Sequence, residues 1–550
     1  MIPQFREAPS PKQTPGTTKD FPMKGCYLPT LMLAYLVVGC QPAAQEPATI
    51  PSAEKPAPPD AAASPIQETE KKTDESTQAG SEEKPDENNS ATTTPDSPAK
   101  PQSPHPTDTA PANLGTRQQG TDWATFLGPG ANSKSTETGI LKQWPEKGLR
   151  IVWQKELGTS YGIGSVANGR YYQFDRTDET IHLDCLHAET GKPLWQFKYP
   201  SDYEDLYGYD GGPRASPLVD GNRVYLFGVE GLLHCLHADT GKLIWKFDTV
   251  KEFGVVQNFF GAGSTPVIEG DLLIAMVGGS PAESQTLAPG DLSQVIGNGT
   301  GIVAFNKYTG KVHYKISDEL ASYASPVLTT IDDRRWCFAF ARSGLVGFDP
   351  VLGKIDFHYP WRARNLESVN ASTPVVVGNE VFISETYGPG SSLLKVQPGK
   401  ADVVWQDDPQ KREKAMLAHW NTPIYHDGYL YGCSGRHTEN ADVRCIEWKT
   451  GKVMWSIPRT TRVSLMYVDE HFIWLGEFGD LLMFKANPNK FEPTARHVYL
   501  AEPGENTPAG ITPPQLLKYP CWAAPILSHG LMYVRGSDRV LCLELIPGKS

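Results

Sequence analysis

The stretch "LHADTGKLIWKF" at residues 236–247 occurs a second time, as "LHAETGKPLWQF" at residues 186–197. One copy would be typical of a turn between two β-strands. Two copies, which begin fifty residues apart, indicate a repeated structural unit. A repeat of this length takes precedence over any single-residue motif in deciding the fold.

Weaker copies of the phrase continue toward the C-terminus, at 304–316, 347–359, 393–406 and 445–457. Each copy follows a second recurring phrase, in which a small residue and usually a proline precede a β-rich run, as in "ASPLVDGNRVYLFG" at 215–228. Each unit reads as four short strands, with a tight "DG" or "GN" turn between the first two. Four-stranded units at this period predict a β-propeller.

The fourth strand of each unit carries an aromatic residue at one position. We expect these side chains to pack one blade against its neighbour, because aromatic residues bury a large apolar area. They are Trp195, Trp245, Tyr314, Phe357, Trp405 and Trp455.

The two ends of the repeat region complement each other. A degenerate unit occupies residues 463–490, and the last unit ends after its third strand, at 540–545. A lone strand at 150–157 carries Trp153 where a fourth-strand tryptophan is expected. Pairing this strand with the last unit would close the ring and remove two exposed sheet edges.

We therefore predict an all-β fold. It is an eight-bladed β-propeller of four-stranded antiparallel blades, closed by an N-terminal strand (150–157) that completes the last blade. Seven blades remain the alternative if the degenerate unit is not a blade.

The phrase "A-(D/E)-T-G-K-x-x-W", with its upstream small residue and proline, resembles the pyrroloquinoline-quinone-type (PQQ) propeller repeat over roughly residues 148–550. This repeat occurs in quinoprotein dehydrogenases. It also occurs in cofactor-free propellers such as the lipoprotein of the outer-membrane β-barrel assembly machinery. The resemblance implies the fold and leaves the function open.

Residues 1–40 resemble a targeting segment. The apolar run at 27–39 is too short to span a bilayer, which takes about 20 residues, and is typical of a signal peptide. The stretch "VVGC" that ends at Cys40 resembles a bacterial lipobox. We therefore expect lipidation at Cys40 and a start of translation at Met23. An ordinary signal peptide with a chance cysteine is the alternative.

Residues 41–120 contain many prolines and no aromatic residue. Such a stretch cannot bury enough apolar surface to offset its chain entropy, so we predict a disordered tether. Residues 121–550 then form the propeller domain. Gln41 after the cysteine resembles the sorting signal of Gram-negative outer-membrane lipoproteins. We expect an exported protein anchored to the membrane by lipid, on the periplasmic side of the outer membrane.

Four of the nine cysteines share one position on the third strand of their units: Cys185, Cys235, Cys445 and Cys542. A position repeated in several blades suits a small apolar side chain, so we predict buried free thiols. Disulfides or a metal site are the alternative.

The resemblance to quinoprotein dehydrogenases implies a disulfide between adjacent cysteines, an aspartate base and a Ca²⁺ site. The sequence contains no two adjacent cysteines, and no aspartate aligns with an Asn/Glu calcium set. An enzymatic function is therefore disfavoured, although some quinoproteins lack the paired cysteines.

The longest loops of the predicted propeller fall on one face, where scaffolds usually place binding surfaces. They span 201–214, 279–301, 361–370, 407–419, 434–443 and 501–520. Seven residues just before the first strands should ring the channel mouth on this face: Tyr161, Arg214, Tyr323, Asn370, Trp420, Arg462 and Trp522.

Aromatic and arginine side chains together suit a planar or anionic ligand, or a peptide strand. Packing and solvated rim residues are the alternative for these seven. In the first loop, Asp202, Glu204, Asp205 and Asp210 could bind Ca²⁺, although a solvated loop is favoured.

We predict a non-catalytic binding or scaffold protein of the cell envelope. The predicted monomeric propeller would hold an envelope protein or a small ligand at its loop-rich face, contact the membrane through its lipid, and require no cofactor. A net charge of −12 argues against a nucleic-acid partner.

The alternative is a PQQ-dependent oxidoreductase acting on alcohols or sugars. PQQ, together with calcium, would then stack on Trp420 or Trp522 and be held by Arg214 or Arg462. Binding of a sugar or polymer on the aromatic rim is a third possibility.

Overall fold

The computed structural model describes residues 109–548 except 206–207, 257–258, 288–291, 366–367 and 503–511. The predictions for the targeting segment and for the tether up to residue 108, including Cys40 and Met23, lie outside the described residues. No helix in the described ranges is long and apolar enough to cross a membrane.

The described residues form eight four-stranded antiparallel sheets. The chain enters through β1 (Ile151–Glu156) and then builds the first four blades. Blade 1 contains β2 (Ser165–Ala167), β3 (Arg170–Thr177), β4 (Thr180–His187) and β5 (Pro193–Pro200); blade 2 contains β6 (Leu218–Asp220), β7 (Arg223–Phe227), β8 (Leu232–His237) and β9 (Leu243–Asp248). Blade 3 contains β10 (Val267–Glu269), β11 (Leu272–Met276), β12 (Ile302–Asn306) and β13 (Val312–Ile316); blade 4 contains β14 (Val327–Ile331), β15 (Arg334–Phe340), β16 (Gly344–Asp349) and β17 (Lys354–Pro360).

The second half of the ring repeats this order. Blade 5 contains β18 (Val375–Val377), β19 (Glu380–Glu385), β20 (Gly390–Gln397) and β21 (Lys400–Gln406); blade 6 contains β22 (Ile424–His426), β23 (Tyr429–Ser434), β24 (Asp442–Glu447) and β25 (Val453–Pro458). Blade 7 contains β26 (Val463–Val468), β27 (His471–Gly476), β28 (Asp480–Lys485) and β29 (Pro493–Val498); blade 8 contains β30 (Ile526–Ser528), β31 (Leu531–Arg535) and β32 (Arg539–Glu544). The short helix α1 (Thr249–Phe253) and a 3₁₀ turn (Ser284–Thr286) follow blade 2 and strand β11.

Blade 8 takes its fourth strand from the start of the folded chain. Strand β1 pairs antiparallel with β32, with Trp153 opposite Cys542. The eight-bladed fold and its closure by the N-terminal strand are thereby confirmed. The degenerate unit is a complete blade, whose fourth strand β29 begins beyond residue 490.

The tight turns between first and second strands follow from residues that accept a left-handed backbone. In blade 1, Ala167 pairs with Arg170, and the two turn residues between them, Asn168 and Gly169, have φ values of 50° and 70°. Two consecutive positive φ values are typical of the hairpin turn whose twist matches the strands.

The recurring aromatic residues dock adjacent blades through shared acceptors. Trp195 Nε1 and Tyr172 Oη both donate to the buried carbonyl of Ala238 in blade 2, at 3.2 and 3.1 Å. The same arrangement recurs where Trp153 Nε1 and Tyr533 Oη donate to Ala188 O, at 2.7 and 3.1 Å. The repeated phrase therefore supplies both the donor and the acceptor of the blade interface.

The repeated cysteines lie between these aromatic residues. Cys185 pairs across strands with Tyr172 on one side and with Trp195 on the other. Cys185, Cys235, Cys445 and Cys542 are all buried and free, as predicted. Burial raises the pKa of the Cys185 thiol to about 12, so this group stays protonated.

Residues 109–120, at the end of the predicted tether, contact the propeller. The amide of Arg117 and that of Thr116 donate to Glu189 Oε1, at 2.9 and 2.6 Å, and the Arg117 guanidinium pairs with Glu544. The folded chain thus begins before residue 121, because polar pairing holds a stretch whose apolar content alone would not.

Candidate functional site

The wall of the central channel explains the small residue before each proline. The amide of Ser216 donates to Thr265 Oγ1 in the next blade at 3.0 Å, and the amide of Thr265 donates to Ser325 Oγ at 3.0 Å. In the same way, the amide of Ser325 donates to Thr373 Oγ1 at 3.3 Å, and the amide of Thr373 donates to Thr422 Oγ1 at 3.1 Å. A hydroxyl belt therefore joins blades 2 to 6 around the channel.

The end of the channel away from the predicted mouth is closed by residues 123–135, here called the plug. On one side the backbones of Trp123 and Val166 exchange two hydrogen bonds of 2.9 Å. On the other side the amide of Ser135 donates to Tyr467 O at 2.8 Å, and Lys134 Nζ donates to Tyr425 O at 3.3 Å. Because these contacts reach the inner strands of blades 1, 6 and 7, the plug crosses the channel.

Sequence reasoning did not predict the plug. The signal that could have found it is the appearance of apolar residues directly after the tether. Trp123 and Leu127 are almost completely buried, and Phe126 and Leu127 form the floor of the cavity above.

The channel above the plug holds a cavity of about 220 Å³. Six of the seven predicted mouth residues line it: Tyr161, Arg214, Tyr323, Trp420, Arg462 and Trp522. Whether they bind a ligand stays a prediction.

The seventh, Asn370, lies outside this lining and is fully buried. Its Nδ2 donates to Ala341 O at 2.7 Å and to Trp361 O at 3.2 Å. Its backbone carbonyl accepts a hydrogen bond from the backbone amide of Tyr323 at 3.0 Å. Asn370 thus joins the chain before blade 5 to blade 4.

An aromatic stack occupies one side of the mouth. The Trp522 ring lies 4.8 Å from Tyr161 and 4.7 Å from Trp420, measured between ring centroids. Trp420 Nε1 donates to Trp522 O at 3.1 Å, and Ser464 Oγ donates to the same oxygen at 2.7 Å. These hydrogen bonds fix Trp522, before blade 8, against Trp420, before blade 6, and Ser464 of blade 7, while Tyr161 packs on the Trp522 ring.

Arg462 is neutralised within this stack. Its Nη2 lies 2.6 Å from Glu477 Oε2, and the Glu477 side chain is fully buried. The guanidinium lies 4.6 Å from the Trp420 ring centroid and 5.0 Å from that of Trp522. Burial by itself would raise the pKa of Glu477, but the hydrogen bonds from Arg462 outweigh it and lower that pKa.

Arg214 is neutralised in the same way. Its Nη2 lies 2.7 Å from Asp205 Oδ2, and both side chains are buried; its guanidinium also lies 5.3 Å from the Tyr161 ring centroid. Of the acidic group in this loop, Asp202 and Glu204 are exposed. Among the described residues, no group of His, Cys, Asp and Glu side chains is arranged to hold a metal ion.

His419 also lines the cavity, although sequence reasoning did not select it. Burial, together with the nearby charges of Arg462 and Arg436, lowers the pKa of His419 to about 3. Its Nε2 lies 3.3 Å from Tyr387 Oη, and its ring packs on Trp420 at 4.8 Å. The neutral imidazole adds to an uncharged aromatic wall.

Comparison with known proteins agrees with this geometry. A family model described as "Outer membrane protein assembly factor BamB" matches residues 182–457. A comparison with curated proteins found no match.

Among solved structures, the chain resembles the quinohemoprotein alcohol dehydrogenase of Comamonas testosteroni. The TM-score is 0.52 at 12% identity, over 78% of this chain and 81% of that one. It also matches BamB of Moraxella catarrhalis, with a TM-score of 0.48 at 13% identity, over 72% of this chain and 97% of that one. At such identities the solved structures show the fold alone. Because the family model covers half of the chain and the blades carry its repeat, the chain belongs to the family of the outer membrane protein assembly factor BamB.

Proposed function

We propose that this chain is a non-catalytic binding protein of the cell envelope, which holds an apolar segment of an envelope protein at its channel mouth. The observation that carries the proposal is an aromatic surface continuous from the cavity to solvent. Phe478 and Tyr519 stack at 5.2 Å, and Tyr519 meets Trp522 at 6.0 Å. Phe478 and Tyr519 are 43% and 46% exposed.

On the other side of Trp522, the ring of Tyr209 is 48% exposed and lies 6.3 Å from Trp522. Contiguous exposed apolar surface of this kind marks interaction sites in soluble domains. The arginines beneath it are already paired with Asp205 and Glu477, so the surface attracts apolar groups more than anions.

The size of the cavity supports surface contact over enclosure. At about 220 Å³ it is smaller than most small-molecule pockets, which measure about 300–1,000 Å³. The plug closes it from below. A partner would therefore rest across the mouth and insert at most one or two side chains.

The assignment to the envelope rests on two supports. The sequence predicts an exported protein with a lipid on Cys40, and the matching family is described as an assembly factor for outer membrane proteins. A partner among outer-membrane proteins, reached on the tether from the outer membrane, combines both.

Site-specific photocrosslinking in cells tests the proposal. A photoreactive phenylalanine analogue is placed at Phe478 or Tyr519, and at Leu352 as the control. Leu352 is 71% exposed but lies in a third-to-fourth-strand turn, on the opposite face. We expect a discrete adduct with an envelope protein from the first two positions and none from Leu352. Adducts of equal yield from both faces, or none from the mouth, would contradict the proposal.

The oxidoreductase alternative fits the residues less well. PQQ is a planar polycarboxylate, and the two arginines that would hold it are each paired with a carboxylate of their own chain. The rings on which it would stack, Trp420 and Trp522, pack against each other at 4.7 Å. Titration of the purified full chain with PQQ and Ca²⁺ should therefore leave tryptophan fluorescence and melting temperature unchanged. Saturable quenching that is lost in Trp420→Ala would establish the alternative.

A further inference from the structure

A second and larger cavity, of about 430 Å³, lies on the loop-rich face between blades 2 and 3. Helix α1 and the chain that follows it form one side, and the start of blade 4 forms the other. Most of the wall is apolar: Phe227, Val229, Val255, Met276, Leu292 and Leu320. Its volume falls within the range of about 300–1,000 Å³ that is typical of small-molecule sites.

Glu230 is the unusual group in this wall. Both of its carboxyl oxygens are shielded from solvent, and neither makes a well-formed hydrogen bond. The equally shielded hydroxyl of Tyr199 lies beside it as a weak polar neighbour. Gly228 leaves room for both, since a Cβ there would collide with Glu230 Oε1 and Tyr199 Oη.

A buried carboxyl group without a well-formed hydrogen bond is costly, and native proteins rarely keep one without a reason. Burial accordingly raises the pKa of Glu230. A ligand that donates a hydrogen bond, and above all one that carries a positive charge, would remove this cost.

The charges around the cavity favour a cation. Three acidic residues line it, Asp202, Glu204 and Glu230, against one basic residue, Arg342. The Arg342 guanidinium lies over the Phe259 ring at 5.4 Å. The lining therefore combines a negative balance with an apolar body.

We propose that this cavity is a binding site for an apolar ligand with one amine or ammonium group, which donates to the Glu230 carboxylate. The site shares only Gly263 with the lining of the channel cavity and does not depend on the proposed function.

Isothermal titration calorimetry of the full chain with octylamine tests the site, with octanol and octanoate as matched probes. We expect saturable one-to-one binding of octylamine, at least ten-fold tighter than either probe. Glu230→Gln should weaken octylamine binding at least ten-fold. Val250→Trp, which narrows the cavity from its exposed rim on α1, should weaken it as well, and this second variant serves if Glu230→Gln does not fold.

Two control variants separate this site from other surfaces. Glu252→Gln removes an exposed carboxylate of the same helix outside the cavity lining, and Phe478→Ala removes an aromatic ring of the mouth. Both should bind octylamine as the wild type does. The proposal is overturned if octylamine shows no saturable binding, or if Glu230→Gln and Val250→Trp both bind it with wild-type affinity. Loss of binding in Phe478→Ala also overturns it.

Discussion

The imidazole of His529 bridges the last blade and the chain that leads to the plug. Its Nε2 lies 3.1 Å from Asp122 Oδ1, and its Nδ1 lies 3.2 Å from the carbonyl oxygen of Gln119. Both neighbours are acceptors, so both ring nitrogens must carry protons for both contacts to form. The arrangement therefore favours the imidazolium form.

This pair predicts a defined pH dependence of stability. The hydrogen bond to Asp122 raises the pKa of His529 above its usual 6.5. Burial by itself would raise the pKa of Asp122, but the bonds from His529 and Asn168 lower it below its usual 3.8. The pair thus stabilises the fold fully between these usual values, and its contribution disappears as pH rises through the folded-state pKa of His529.

We expect His529→Gln to lower the unfolding free energy more at pH 5.5 than at pH 8.5, and the two losses should differ by no more than about 1 kcal/mol, because the pair is partly exposed to solvent. His497→Gln is the matched control. Burial lowers the pKa of His497, so its pH trend should have the opposite sign. Identical pH trends in the two variants would refute the charged state of His529.

Gly241 has two separate reasons to be glycine. Its φ is 69°, and a Cβ would collide with the Trp195 ring of the neighbouring blade. Gly270 shares only the first, with φ at 57° and open space around the Cβ position. Gly270→Ala should lose about 1–2 kcal/mol through the left-handed backbone. Gly241→Ala should lose a further 1–3 kcal/mol, about the cost of overpacking. Urea unfolding measures both, and equal losses would show that Trp195 moves freely.

The carbonyl shared by two donors predicts non-additive mutations. Trp195→Phe or Tyr172→Phe removes one hydrogen bond to Ala238 O, at about 1 kcal/mol each, because the other donor remains. The double variant leaves a buried carbonyl unsatisfied, so its loss of unfolding free energy should exceed the sum. Tyr172→Phe combined with Trp245→Phe, whose indole donates to Lys307 O at 3.0 Å, should be additive. Additivity in the first pair would mean that the two donors act independently.

The buried pair at the mouth predicts an asymmetric result. Arg462→Met leaves the Glu477 carboxylate buried without its cation and should lower the unfolding free energy by about 3–5 kcal/mol. Adding Glu477→Gln should recover part of this loss, since the unpaired charge is gone. Lys400→Met removes one partner of the exposed Lys400–Asp402 pair and should change stability by less than about 1 kcal/mol. Thermal and urea unfolding compare the three, and a double variant less stable than Arg462→Met would contradict the explanation.

The architecture could be predicted because its determinants repeat. Most blades carry their own turn residues and their own fourth-strand aromatic, and in blades 1, 2, 3, 4 and 6 a glycine lies against the aromatic ring of the preceding blade. A pattern within about fifty residues was therefore enough to predict the strands and the blade contacts. The missing fourth strand of blade 8 and the isolated strand with Trp153 likewise indicated the closure, since an open sheet edge has to be paired.

The site could be predicted only in outline. Six of the seven side chains selected by register before the first strands line the channel cavity, because that position is the same in every blade. The same rule predicted Asn370 at the mouth. In the structure its side-chain amide instead donates hydrogen bonds to backbone carbonyls of blade 4. The charge state of the mouth depends on Asp205 and Glu477, which occupy loops of different length and follow no repeat.

The sequence by itself predicted the ring and its closure and favoured eight blades over seven, since these follow from interactions between neighbours that recur along the chain. Only the tertiary structure decided which carboxylates neutralise Arg214 and Arg462, that residues 123–135 close the channel, and that Glu230 faces a second cavity. The two ion pairs join residues only nine and fifteen positions apart, but their carboxylates occur once, in loops that follow no repeat. The plug meets Tyr425 and Tyr467 only after the ring has closed and brought distant parts of the chain together.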